Sequence, residues 1–187
     1  MTSENEFSRT VKLADIGAGD MKHNIAASES ERAALSERFD LLSLEKLEAV
    51  ITVSATEKGI SAKGKIWAEL VQACTATGEP VPDSIADDID LLFMAPPQHG
   101  EDAEIELLPD ECEVIFHDGK VVDLGEAAAQ SMGLAINPYP RSKIADEKLR
   151  AAGVKSEEEE ARELEARKAV SGPFAGLAGL QQPKNKP

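Results

Sequence analysis

Five side chains could serve as soft metal ligands, two of them also as nucleophiles: Cys74, Cys112, His23, His99 and His117. A structural zinc site gathers four such ligands through short spacings of the Cys-x-x-Cys kind. No two of these residues stand at such a spacing, so they read as core or surface residues and no cofactor is expected. Nucleophilic catalysis at Cys74 needs a histidine brought close by the fold and surroundings that favour the thiolate. Cys74 instead falls in phase with Ile66, Ala68 and Leu70, the inward residues of an alternating run, and reads as buried.

Other reaction chemistry is no better marked. Gly17-Ala18-Gly19 lacks the third glycine and the following helix of a dinucleotide fingerprint, and no phosphate loop with its lysine is present. The acids lack the spacing and central glycine of a calcium loop. The sequence therefore reads as a binding protein, not an enzyme.

Charge is more informative. The chain has 187 residues and a formal net charge of -15, with an isoelectric point near 4.6. Between Lys65 and Lys120 there is no lysine or arginine and there are fourteen acids, which predicts a contiguous negative field that attracts basic proteins. The opposing feature is Lys58, Lys63, Lys65 and Trp67, of which the last three alternate on one strand face. Cations beside an aromatic ring are a means of holding single-stranded RNA. No apolar run is long enough to cross a bilayer and no signal sequence is evident. A cytoplasmic protein without a membrane partner is expected.

The elements that must position these residues are partly legible. A first strand with Phe7, Val11 and Leu13 is expected between Glu6 and Ile16. Ser28-Glu29-Ser30-Glu31 is a capping box that starts a helix whose buried face holds Leu35 and Phe39. After a leucine-rich connection through Leu41, Leu42, Leu44 and Leu47, residues 49–56 and 60–70 alternate as two antiparallel strands about the Glu57-Lys58-Gly59 turn. Residues 78–82 break the pattern, and a further strand follows from Ile85 to Phe93 before Pro96-Pro97. Residues 112–116 and 120–124 flank Asp118-Gly119, which predicts a hairpin with a two-residue type I′ turn.

Asp123 can then cap a largely apolar helix, with Glu126 completing a second capping box, until Pro138 and Pro140 end it. These elements predict an α+β domain over residues 1–141: a mostly antiparallel sheet of about five to seven strands packed by two helices. Residues 142–187 read as a charged tail, partly helical or disordered, carrying an apolar island at 172–180. Phe174, Leu177 and Leu180, spaced by three, make that island a candidate partner contact.

Three stretches carry a resemblance to a known family. They are Gln72-Ala73-Cys74-Thr75-Ala76-Thr77-Gly78-Glu79-Pro80-Val81; Asp118-Gly119-Lys120-Val121-Val122-Asp123-Leu124-Gly125-Glu126 with its helix and Pro138-Tyr139-Pro140-Arg141; and Pro173-Phe174-Ala175-Gly176-Leu177-Ala178-Gly179-Leu180. In this order they resemble the YceD family of large ribosomal RNA subunit accumulation proteins, from about Arg32 to near the C-terminus. The resemblance implies a non-enzymatic part in ribosome biogenesis, supporting accumulation or processing of large-subunit ribosomal RNA. The charge pattern, taken with that role, gives two expectations: a basic ribosomal protein or another biogenesis factor as partner through the acidic face, or precursor large-subunit RNA held directly through Lys58, Lys63, Lys65 and Trp67. Many members carry Cys-x-x-Cys in the central motif and further ligands after the proline-rich stop, an arrangement that suits a metal. Here Cys74 matches the first position, Thr77 takes the second, and Pro138 to Arg141 offers no ligand. No metal is therefore carried over.

Overall fold

The Ser28 N–H donates to the Glu31 carboxylate at 2.7 Å and the Glu31 N–H donates back to the Ser28 hydroxyl at 3.4 Å, closing the capping box. From this start α1 runs over Glu29–Arg38, with Leu35 wholly buried. The protein is described here by a computed structural model covering residues 5–96, 113–155 and 157–171. The chain divides into two compact units, Met1–Ser142 and Lys143–Pro187.

In the first unit β2 (Met21–Ala26), β3 (Ser43–Ala55), β4 (Ile60–Ala73), β5 (Pro80–Met94) and β6 (Glu113–Phe116) form one sheet in that order. All neighbours are antiparallel except β5 and β6, which run parallel. A second, two-stranded sheet pairs β1 (Thr10–Lys12) with β7 (Val121–Asp123). Helix α2 (Leu124–Ala135) follows β7 directly and touches β1, β4 and β5. The mostly antiparallel α+β architecture is the one expected.

Alternation sets the core. Leu47, Ala49, Ile51 and Val53 of β3 sit across from Ala68, Ile66, Gly64 and Ala62 of β4, and this face is buried. Ile85, Ile89, Leu91 and Phe93 extend it onto β5. Each valine, leucine, isoleucine or phenylalanine among them contributes about 1.5–3 kcal/mol by leaving water. A Cβ at Gly64 would come within 2.0 Å of the Val50 carbonyl oxygen, so only glycine allows the two long strands to approach at that point.

Five local expectations need correction, the last of them in α2. The first strand is only Thr10–Lys12, since Leu13–Asp15 winds into a single 3-10 turn. The second half of the leucine-rich connection, Leu44 and Leu47, is in fact the start of β3: an irregularity between Leu44 and Lys46 shifts the register and conceals the period of two. Residues 78–82 do not interrupt the sheet up to Pro82, because β5 already begins at Pro80. Among the described residues, β5 there pairs on one side alone, where a missing N–H is tolerated.

The fourth correction concerns the hairpin. Strands β6 and β7 do not pair with each other; one joins β5 and the other joins β1. A type I′ turn requires positive φ at both central residues. Only Gly119 has it, at 84°, while the Asp118 carboxylate accepts from the Lys120 and Val121 N–H groups. That turn redirects the chain from one sheet to the other. The sequence announces no strand where β2 runs: Lys22 and Asn24 face outward, and the polar His23 stands between Met21 and Ile25 on the inward face, opposite Ile51, and breaks its apolar pattern.

In α2 the Asp123 carboxylate caps the Gly125 and Glu126 N–H groups, as expected. Glu126 does not complete a second box, because its carboxylate is held by Arg38 and Gln130. Leu124, Ala127, Ala128, Ala129 and Met132 are buried, but Leu134 is exposed, so the helix is apolar beyond the face it buries.

The second unit contains α3 (Ala145–Ala151) and α4 (Glu157–Ser171), the latter with Lys155 salt-bridged to Glu163 across its start. No helix among the described residues is long and apolar enough to cross a membrane.

Candidate functional site

The lysine–tryptophan face exists as a surface. Lys63, Lys65 and Trp67 stand on the side of β4 away from the core, and Trp67 is exposed. Each lysine, however, faces an acid directly across on β5. Lys63 Nζ lies 3.0 Å from Asp90, and Lys65 Nζ 2.5 Å from Asp88. The next row sets Trp67 beside Glu48 on β3 and Ala86 on β5. Lys58 lies apart from this face, exposed in the turn between β3 and β4. Cross-strand pairing thus turns a row of cations into a mixed-charge surface.

The acids are divided as well. Glu69, Asp88 and Asp90 belong to the outer face, whereas Asp83 and Asp87 are in register with Leu70 and Ile66 of the opposite one. These described acids are therefore not gathered on one face of the sheet. The acids at 101–111 lie outside them, as do Cys112, His99, Phe174, Leu177 and Leu180.

The structure brings two of the motif-bearing stretches together around Cys74. The Ser142 N–H donates to Cys74 Sγ at 3.3 Å, and the Ser142 hydroxyl donates to the Glu79 carboxylate at 3.1 Å. Thr75 donates twice to the Pro140 carbonyl, from its N–H at 2.9 Å and its hydroxyl at 3.2 Å. One layer deeper, Gln72 Nε2 donates to the Asn137 carbonyl at 2.9 Å. The segment leaving α2 is thereby fastened across the end of β4.

Cys74 is 3% exposed, as its phase on β4 predicts. A hydrogen bond from the Thr77 side chain, then the Ser142 N–H, hold its thiol below the usual range, at about 6, against the opposing effect of burial. No histidine is among these partners. A Cys-x-x-Cys metal grip needs two thiolates. Here one sulfur faces a hydroxyl that is itself bonded to Glu79, so the residues do not fit a metal. Among the described residues, no group of three His, Cys, Asp or Glu could hold an ion. Sequence reasoning missed Ser142, Glu79 and Asn137 because partners more than sixty residues apart leave no local signal.

The first unit is thus an α+β fold whose motif-bearing stretches fasten one another, with mixed charge on its open sheet face. Residues 62–181 match the family described as large ribosomal RNA subunit accumulation protein YceD, and the chain belongs to that family. Comparison with curated proteins and with solved structures gives no match to either.

Proposed function

We propose that this protein is a non-enzymatic ribosome biogenesis factor that supports accumulation of large-subunit ribosomal RNA by binding a basic protein partner. The family description supplies the ribosomal context. The observation that carries the choice of partner is the pairing of Lys63 with Asp90 and Lys65 with Asp88 in a chain of net charge -15. Lysines so engaged offer little to phosphate, while the surplus of acids attracts cations. Phe174, Leu177 and Leu180 supply a second, apolar contact in this reading. Direct binding of precursor RNA through Lys58, Lys63, Lys65 and Trp67 is the less supported alternative.

The test is capture of partners from lysate by the full chain, with and without RNase, beside a version ending at Arg141. A basic ribosomal protein or biogenesis factor retained after RNase supports the reading, and its loss on truncation assigns the contact to the tail. Partners that all disappear with RNase transfer the function to RNA.

A further inference from the structure

Because β6 and β7 part into different sheets, a cavity of about 330 Å³ opens between them and the first turns of α2. Its apolar lining is Phe93, Ile115, Val121, Val122 and Ala127. Phe116, more than half exposed, stands at its border. The polar lining comes from Asn5, Asp118, Asp123, Glu126 and Gln130, with His117 beside them.

The hydrogen bonds already made there decide what the cavity can accept. Asn5 spends an amide N–H on Asp123 at 3.1 Å, and Gln130 spends one on Glu126 at 2.9 Å. Each amide is thereby oriented with its carbonyl oxygen left as acceptor. Asp118 uses Oδ1 for two backbone N–H groups, which leaves Oδ2. His117 Nδ1 accepts from the Gly119 N–H, so its neutral ring carries the proton on Nε2, a donor beside the second amide N–H of Asn5 and of Gln130. No lysine or arginine lines the cavity. One guanidinium is nevertheless held at its margin: Arg38 binds Glu126 with two nitrogens.

An apolar floor, an exposed phenylalanine ring and a rim that holds three carboxylates and no lysine or arginine complement a long cationic side chain, whose stem is apolar and whose head is all donor. We propose that this cavity is an anchor site for an arginine or lysine side chain of a basic protein partner. The inference rests on the protein-partner reading above and gives that partner a point of attachment.

The test titrates the full chain at physiological salt with a short acetylated, amidated peptide of alternating arginine and glycine, followed by amide NMR. The control peptide carries citrulline in place of arginine, which keeps the shape and removes the charge. Shift changes at Ile115 to Asp118 and Glu126 to Gln130, absent with citrulline, are expected. Gln130→Phe, which fills the cavity, should weaken binding about tenfold. Asp118→Asn keeps the turn acceptor, removes one charge and should weaken it as well, which secures the result if Gln130→Phe does not fold. Shifts confined to other acidic surfaces, or undiminished binding by both variants, overturn the anchor site. If both variants still retain an RNase-resistant basic partner from lysate, the partner reading stands and the cavity is not its anchor. If the unaltered chain retains none, the partner reading itself fails.

Discussion

The Arg38 guanidinium grips the Glu126 carboxylate with both terminal nitrogens, at 2.9 and 2.8 Å, and so ties the last turn of α1 to the first turn of α2. The same group reaches Glu6 at 3.0 Å, bringing in the N-terminal segment. Arg38 is accordingly held more strongly protonated, chiefly through the Glu126 hydrogen bonds. Arg38→Ala should cost about 1–2 kcal/mol in urea unfolding, since the pair is charge-assisted but partly solvated. Arg38→Lys should recover only part of it, because an ammonium cannot form the fork.

A second ion pair sets an acid limit. The Glu31 carboxyl is lowered to about 2, first by the Arg9 side chain and also by the Ser28 cap. A carboxyl depressed on folding contributes stability that is complete above its unfolded value near 4.5 and is lost as the pH falls towards 2. Glu31→Gln should flatten the stability profile between these values, as read from melting temperatures across the acid range.

Glycine substitutions should separate close approach from turn geometry. Gly64→Ala would drive a methyl into the Val50 carbonyl and should cost about 3 kcal/mol. Gly119→Ala has open space around it but must hold φ at 84°, so a loss of only about 1 kcal/mol is expected in thermal unfolding.

Reversing the outer lysines tests the RNA alternative. Lys63→Glu with Lys65→Glu should leave the retained protein partners unchanged, while the introduced repulsion with Asp90 and Asp88 lowers the melting temperature slightly. Loss of an RNA-dependent partner in this variant would support direct RNA contact instead.

Local chemistry was readable and long-range pairing was not. Ser28 and Glu31 are three residues apart and announce their own hydrogen bonds, and the alternation from Ile60 to Leu70 states which side is inward. Asp118-Gly119 supports a turn in either sheet, so only the partners of Val114 and Val122 reveal that the strands separate. The anchor cavity exists because of that separation and had no sequence signal. Cys74 was rightly read as buried, but its bond to Ser142 spans 68 residues that no spacing rule covers.

The lacing of the N-terminal segment to β7 has a kinetic side. Asn5 and Asp123, 118 positions apart, share a hydrogen bond, and the wholly buried Phe7 has its carbonyl oxygen 2.6 Å from where a Cβ on Gly125 would stand. Translation at ~5–20 residues per second delivers Asp123 on the order of ten seconds after Asn5. The segment that holds Asn5 and Phe7 is therefore seated only after β7 and the start of α2 have been made. Throughout that delay Phe7 is an unclaimed apolar side chain on a nascent chain, open to a chaperone before its own domain can cover it.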